Sequence, residues 1–514
     1  MSSIEQLHEQ FAAISTPLEQ WKWIYDLQQS DINTAFKFLL KYKLECLPII
    51  YTPTIGAACS NYSDLFPNAH SAGVFITRED KGKILEKLTK VHEEHPDVEV
   101  SVVTDGSRIL GLGDLGAGGH LITYGKLGLY CFAAGFDPKK TLPVSIDVGC
   151  NIDAIREHPT YVGVRKHRDL PEQEYYDLVD EYFTAFKKLW PNAIFQFEDF
   201  SNNHAFDLLE KTRHRGQAVF NDDIQGTGCV CAANLLGALR GVEAHGMDGK
   251  VSNQRFLFYG MGAAGVGVAE SMCRLMMDEG LTMDQARARF WFVDSRGLVH
   301  NKRSDFLDGS MQAHKLDFAR VRDAEKDLKS LHEVAKEIRP TVLVGLSTIA
   351  KAFDRELLEI VQEHTKIPII LALSNPTVKC EITSEEAHDF CNGQVIYASG
   401  SPMPAIVGLD GKTKFVPSQA NNLFVFGALG LGAFYAQATE ITDNMIARAA
   451  RALASQTSEE DVRIGICLPP LTQIREISAH IAGEVHRQAI ADGVARCDKV
   501  LSDEEILSKM WVPQ

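Results

Sequence analysis

Arg255-Phe256-Leu257-Phe258-Tyr259-Gly260-Met261-Gly262-Ala263-Ala264-Gly265-Val266 is the stretch on which the fold turns. An apolar strand runs into G-x-G-x-x-G, and a helical pattern over residues 266–277 follows. In such a turn the first glycine permits the sharp bend and the second lets the backbone approach a pyrophosphate. The third packs the helix on the strand, so that the free N–H groups at the helix start face the phosphates. Gly260, Gly262 and Gly265 hold those places, with Ala263 and Ala264 between them. The next strand, residues 290–293, ends at Asp294, where an acid meets the adenosine ribose of a dinucleotide. The spacing exceeds the usual ~20 residues, and residues 278–283 read as an inserted loop. A turn used only for packing is the bland alternative, but it leaves the order of strand, helix and acid unexplained. A second match, Gly111-Leu112-Gly113-Asp114-Leu115-Gly116, is followed by Gly118 and Gly119 rather than by a helical pattern, so it lacks the context of a nucleotide turn.

Outward from this turn, further apolar strands recur at residues 341–344, 368–373 and 395–398, with a helical pattern at 328–338. Alternating strands and helices specify a parallel sheet with right-handed crossovers. The fold class expected is α/β, with a doubly wound, Rossmann-like NAD(P)-binding domain. Upstream, the first fifty residues read as helices, and residues 98–104 and 143–148 as strands. Residues 172–190 read as an amphipathic helix, and the chain beyond Asn422 is again largely helical.

At 514 residues the chain requires two or three domains. A formal net charge of −16 argues against a nucleic-acid or anionic-membrane partner. No apolar run is long enough to span a membrane, and the first residues show no apolar or Arg-rich leader. Cytosol is the compartment expected, or the mitochondrion if a leader has been removed. The eleven cysteines show no C-x-x-C spacing and read as buried, reduced thiols.

Two segments place paired acids at the ends of apolar strands: Phe195-Gln196-Phe197-Glu198-Asp199-Phe200 and Ala218-Val219-Phe220-Asn221-Asp222-Asp223-Ile224-Gln225-Gly226. Carboxylates in apolar surroundings are neutralised, paired with a base or bound to a cation. Oxygens that converge without His or Cys favour Mg²⁺ or Mn²⁺. Helix capping by Asp222 or Asp223 is an equal alternative, though it does not account for Glu198-Asp199. Lys126 stands in Leu121-Ile122-Thr123-Tyr124-Gly125-Lys126-Leu127-Gly128, with no other charge nearby in sequence. Desolvation lowers the pKa of such a lysine and suits it to proton abstraction; a lysine that snorkels to the surface is the ordinary alternative. Arg108 has the fork geometry to grip a carboxylate. Tyr51, in Tyr51-Thr52-Pro53-Thr54, by itself reads as a packing residue in a turn.

Taken together, these segments resemble the malic enzyme family. The matching stretches are Tyr51-Thr52-Pro53-Thr54-Ile55-Gly56, Arg108-Ile109-Leu110-Gly111-Leu112-Gly113-Asp114-Leu115-Gly116 and Gly125-Lys126. They continue in residues 142–149, 196–200, 220–226, Ser374-Asn375-Pro376, 397–402 and 419–422, in family order over most of the chain. The resemblance implies Tyr51 as general acid, Lys126 as general base and Asp222 as the partner that orients the lysine. It implies Glu198, Asp199 and Asp223 as ligands of Mg²⁺ or Mn²⁺, and Arg108, Asn375 and Asn422 as groups that hold malate. Gly260, Gly262, Ala263, Ala264, Gly265, Asp294, Ser295, Arg296 and Asn375 are the expected cofactor contacts. The implied domains are a helical segment 1–69, a mixed α/β catalytic domain 70–221 completed by 422–495, a Rossmann-like domain 222–421 and a tail 496–514.

The implied reaction is oxidative decarboxylation of L-malate to pyruvate. Lys126 removes the C2 hydroxyl proton as hydride leaves, the metal stabilises oxyanion and enolate, and Tyr51 protonates C3. The resemblance also implies a homo-oligomer, a dimer or tetramer. Members activated by a dicarboxylate carry an arginine about where this chain has Gln28-Gln29-Ser30-Asp31, so that activation is not carried over. Asp294 alone favours NAD, because a carboxylate accepts from the ribose 2′-OH and repels a 2′-phosphate. The basic cluster of Arg296, Lys302 and Arg303 offsets it, and NADP is the cofactor expected over NAD. The alternatives are an NAD-dependent or malolactic enzyme on the same fold and, from another class, a catalytically silent nucleotide-binding sensor.

Overall fold

The computed structural model describes residues 3–322, 328–375, 377–407 and 413–514; Pro376 of the Ser374-Asn375-Pro376 motif lies outside the described residues, as does the side chain of Ala263. The chain forms two units. One comprises Met1–Asp222, Phe426–Thr442 and Leu471–Gln514, the other Asp223–Val425 and Asp443–Pro470. The C-terminal return to the first unit is thus interrupted, because residues 443–470 stay with the second.

The first unit opens with helices Ile4–Ala12, Pro17–Ser30, Ile32–Lys41, Lys43–Ile50 and Thr54–Ser60. Its sheet consists of β1 (Val74–Thr77), β2 (Val100–Thr104), β3 (Thr141–Asp147), β4 (Ile194–Phe197) and β5 (Val219–Asn221), in the order β1-β3-β2-β4-β5. Every pairing is parallel. Parallel sheets are covered on both faces, which is why polar residues such as Ser101 and Ser145 are buried in these strands beside the apolar ones. Helix His120–Ala134 packs on β2 and β3, and Phe426–Tyr435 and Ile474–Ala491 pack on that helix.

One sequence expectation is corrected here. The Gly111–Gly119 region does lead into a helix, which starts at His120 immediately after the turn Gly116–Gly119. The glycines serve close packing: a Cβ on Gly119 would lie 2.7 Å from the Gly106 Cα, and one on Gly118 2.6 Å from the Cys59 carbonyl oxygen. Gly116, Gly118 and Gly119 hide the helix start because glycine is a poor helix former and carries no apolar period.

The second unit holds β6 (Phe256–Tyr259), β7 (Phe290–Asp294), β8 (Gly297–Leu298), β9 (Val342–Gly345), β10 (Ile369–Ala372) and β11 (Ile396–Ser399). A hairpin of β12 (Ile406–Val407) and β13 (Thr413–Phe415) precedes β14 (Ser418–Gln419). The main sheet runs β14-β11-β10-β9-β6-β7-β8, parallel except where β7 meets β8. The residues that end four strands fall in one row, Tyr259 beside Gly345, Gly345 beside Ala372 and Ala372 beside Ser399. Strand order reverses at β6, since β7 lies on one side of it and β9 on the other. A doubly wound sheet opens its ligand crevice at such a switch point. Below the rim, Leu257, Leu343, Ile370 and Tyr397 join Val334, Leu357 and Val361 from the crossover helices Leu331–Ile338 and Arg355–Gln362 in one core.

Gly260 adopts φ +102°, and a Cβ there would meet the Leu346 carbonyl oxygen at 2.4 Å. Gly260→Ala therefore combines left-handed strain of about 1–3 kcal/mol with a backbone clash. Chemical denaturation should show a loss at least that large; a variant as stable as the parent would remove the steric account of this glycine.

Candidate active site

In the first unit, register does the local work. Phe197 of β4 pairs with Asn221 of β5, so the next residues, Glu198 and Asp222, leave the sheet side by side. Lys126, halfway along helix His120–Ala134, sends its Nζ between them, 2.8 Å from Glu198 Oε1 and 2.8 Å from Asp222 Oδ2. All three side chains are buried, with 4%, 4% and 1% exposed for Lys126, Glu198 and Asp222. Gln196 Nε2 donates to Glu198 Oε2 at 2.6 Å, and the Tyr130 hydroxyl donates to Gln196 Oε1, so the glutamate is held from behind. The ammonium also faces the Phe426 ring at 4.5 Å and the Tyr51 ring at 5.8 Å.

These contacts overturn the expectation that desolvation lowers the pKa of Lys126. Burial alone pulls it down, but Asp222 and Glu198 hold the ammonium well above the usual lysine range. A cation between two buried carboxylates is stabilised more than burial destabilises it. The Tyr51 phenol is pushed up to about 12, first by burial, with Lys126 opposing and Asp222, Glu198 and Asp199 reinforcing the rise. Helix Thr227–Ala244 is preceded by Gly226, and Asp222 begins a π-turn, Asp222–Gly226, ahead of it.

Asp199 takes the left-handed φ of +56° and stitches down the glycine loop. Its Oδ1 accepts from the Leu110 N–H at 3.1 Å, and its carbonyl oxygen accepts from the Arg108 N–H at 3.3 Å. Arg108 rides on that loop with an exposed guanidinium that donates to Asn202 Oδ1. Arg168 braces the same loop, donating to Asp114 Oδ2 at 3.0 Å and to the Asp105 carbonyl oxygen at 2.6 Å. Nothing in the sequence around Arg168 marks it, because its partners come from another segment. Among the described residues no group of three or more His, Cys, Asp and Glu side chains stands preformed for a metal ion. The donor chemistry nevertheless fits one: buried Glu198, Asp199 and Asp222 offer only hard oxygens.

In the second unit, helix Ala263–Asp278 starts directly after Gly262, without a side-chain cap. Its first N–H groups are thus left for an anion. Gly265 lets this helix touch the turn, since a Cβ there would lie 2.9 Å from the Gly260 carbonyl oxygen. Asp294 at the end of β7 does not present a bare carboxylate. Arg303 donates to Oδ1 at 2.8 Å, Lys315 to Oδ2 at 2.8 Å, and the Arg296 N–H to Oδ1 at 2.9 Å. Burial raises its pKa, yet those donors hold it below the ordinary aspartate value. Arg303 is itself buried and also grips Asp305 at 2.6 Å. It therefore neutralises two acids, and it also lines the cleft that holds the rest of the expected basic cluster, Arg296 and Lys302. That cleft is open and is also lined by Ser295, Ser304, Asp305 and Lys329, with Arg296 3.3 Å from the Asp305 carboxylate. Sequence reading missed Lys315 and Lys329, which lie far along the chain from Asp294.

Asn375 follows β10 and is exposed, its Oδ1 accepting from the Ser401 hydroxyl. Asn422 opens a short turn, Asn422–Phe424, and its Nδ2 donates to Thr227 Oγ1 at 3.0 Å.

Known proteins resemble the chain over almost its whole length. The family model for the malic enzyme N-terminal domain matches residues 29–213, and that for the malic enzyme NAD binding domain matches residues 224–490. An NADP-dependent malic enzyme of Dictyostelium discoideum is 42% identical, covering 98% of this chain and 90% of that protein. A chloroplastic NADP-dependent malic enzyme of Zea mays is 40% identical, over 93% of this chain and 73% of that one. Among solved structures, the Entamoeba histolytica malic enzyme shares the fold with TM-score 0.61 at 24% identity, over 90% of this chain and 79% of that one.

Replacing Lys126 with Met keeps an unbranched side chain one heavy atom shorter and removes the cation. Two buried carboxylates then lose the cation they share, a change that costs about 3–5 kcal/mol. Denaturation in metal-free buffer should register a fall of that size; an unchanged midpoint would mean that other groups balance the charge.

Proposed function

We propose that Lys126, Tyr51, Asp222, Glu198, Asp199 and Asp223 carry the chemistry of this chain, which belongs to the malic enzyme family. The reaction is the oxidative decarboxylation of L-malate to pyruvate and CO₂, with reduction of NADP. The observation that supports the assignment most directly is the buried ammonium of Lys126 shared by Glu198 and Asp222.

Lys126 accepts the C2 hydroxyl proton from its neutral amine form, which a divalent cation held by Glu198 would favour by taking over the charge balance, and Asp222 keeps its Nζ oriented through the 2.8 Å contact. Tyr51 holds its proton at the phenol oxygen, pushed up to about 12, and gives it to C3 after CO₂ has left. Glu198, Asp199 and Asp223, the residue after Asp222 in the chain, would hold Mg²⁺ or Mn²⁺. When bound, the ion supplies Lewis acidity toward the oxygen that gains charge in both steps. Arg108 grips a malate carboxylate through its exposed guanidinium, while Asn375 and Asn422 orient substrate and nicotinamide. The Gly260–Gly265 turn, with the free start of helix Ala263–Asp278, binds the pyrophosphate.

Cytosol is the compartment we propose. Among the described residues no disulfide joins the eleven cysteines, ten of which are buried, as suits a reducing environment. No helix among the described residues is long and apolar enough to cross a membrane. A homo-oligomer, dimer or tetramer, is our expectation from the family, and sedimentation decides it.

The parent protein should reduce NADP when given malate and Mn²⁺, read as absorbance of the reduced cofactor. A malolactic enzyme would release none, and a silent sensor would turn over nothing. Asp223→Ala should stay folded, lose turnover and bind Mn²⁺ orders of magnitude more weakly. Undiminished Mn²⁺ affinity in that variant would remove Asp223 from the ligand set.

For the cofactor, neutralised Asp294 does not repel a 2′-phosphate, and Arg296 and Lys302 face the open cleft beside it. NADP should be preferred over NAD by at least roughly tenfold in kcat/KM, or ~1.4 kcal/mol of differential transition-state binding. Changing Arg296 and Lys302 together to Ala should erase most of that ratio; a preference that survives the double change would place the phosphate elsewhere.

A further inference from the structure

Glu381 is fully buried, 0% exposed, and lies behind the rim formed by the ends of β9 and β10. Among the described residues no Lys, Arg or His forms an ion pair with it. Its carboxylate accepts four hydrogen bonds instead. The Ser347 N–H and hydroxyl donate to Oε1 at 3.0 and 3.1 Å, and the Ser374 hydroxyl donates to Oε1 at 2.5 Å and its N–H to Oε2 at 3.4 Å. A buried carboxylate persists only when such donors replace its water. The backbone makes room for it: a Cβ on Gly345 would lie 2.4 Å from the Glu381 carboxyl carbon.

The donors come from two different loops. Ser347 belongs to the turn after β9, and Ser374 to the turn after β10 that leads to Asn375. The Ser374 hydroxyl also accepts from the Thr348 N–H at 2.9 Å, which ties the loops to each other, and Thr348 sits at φ +60°. Two neighbouring turns are locked in as well. The Leu346 carbonyl oxygen is the atom that a Cβ on Gly260 would strike at 2.4 Å, and one on Gly400 would lie 2.7 Å from Asn375 Nδ2. One anion thus holds the turns at the crevice edge in a single arrangement.

We propose that Glu381 is a positioning residue for the reaction: through Ser374, braced by Ser347 from the neighbouring turn, it sets the place of Asn375. This rests on the reading of Asn375 as a group that orients substrate and nicotinamide. Glu381 touches neither, and its effect is on how those groups are held. A displacement of about 1 Å in such a group costs about 10²-fold in rate.

Glu381→Gln tests it, because the amide keeps the shape but has one acceptor oxygen where the carboxylate has two. Expected is a fall in kcat of at least about tenfold. The dissociation constant for adenosine 2′,5′-bisphosphate, which lacks the nicotinamide half, should stay within about twofold by calorimetry. Combining Glu381→Gln with Asn375→Ala should lower kcat little beyond Asn375→Ala alone, since coupled residues are not additive. Ser374→Ala provides a second route should Glu381→Gln fold poorly, and kcat should fall in it too. The proposal is overturned if Glu381→Gln keeps near-parent kcat, if the two losses multiply, or if bisphosphate binding weakens in step with thermal stability. Full kcat in Asn375→Ala would show that the reading of Asn375 is what failed. Loss in Asn375→Ala with retention in both Glu381→Gln and Ser374→Ala would show that only the positioning role failed.

Discussion

A lysine ammonium lodged between two buried carboxylates is the interaction on which the first unit is organised. Each partner reaches it from a separate element: Lys126 from a helix, Glu198 from the end of β4 and Asp222 from the end of β5. None of the three is tolerable in that place without the others. An unpaired ion in an apolar interior carries a desolvation cost of several kcal/mol. The apolar strands on both sides, the Phe426 ring over the ammonium and the Gln196 amide behind Glu198 all serve to exclude water and fix geometry. The local electrostatics follow from this, including a lysine held charged and a tyrosine held protonated.

The second unit meets the same difficulty, negative charge out of water, with different means. Asp294 is met by Arg303 and Lys315, so that an acid which by itself selects against a 2′-phosphate no longer does so. Glu381 is met by no cation among the described residues, only by N–H and O–H donors from two loops. Cations near Asp294 leave room for a charged ligand beside them, whereas a purely hydrogen-bonded carboxylate ties backbone segments together. Both lie where parallel strands end, the edge at which doubly wound sheets bind ligands. The close backbone approaches at Gly260, Gly345 and Gly400 show how little slack that edge contains.

Much of the fold was legible in the sequence because its signals are local. Apolar runs of strand length alternating with helical periods specified a parallel sheet, and Phe256–Tyr259 followed by Gly260–Gly265 marked the nucleotide turn. The glycine-rich lead into His120–Ala134 was misread because small residues carry no amphipathic period. The paired acids were visible as anomalies, charges at the ends of apolar strands, but their partners were not. Lys126 lies far from Glu198 and Asp222 in sequence, and only the register of β4 against β5 brings those acids together beneath it.

What the sequence determined by itself was therefore the class of fold, the nucleotide turn and a short set of residues whose charge required an explanation. Periodicity, glycine placement and buried polarity act through near neighbours and can be read one segment at a time. What only the tertiary structure decided was the state of those charges. Lys126 is raised rather than lowered, Asp294 is neutralised by Arg303 and by the distant Lys315, and Glu381 is held by Ser347 and Ser374. A pKa and a hydrogen-bond partner depend on every group within a few ångströms, whatever its position in the chain, and sequence order carries no record of that distance.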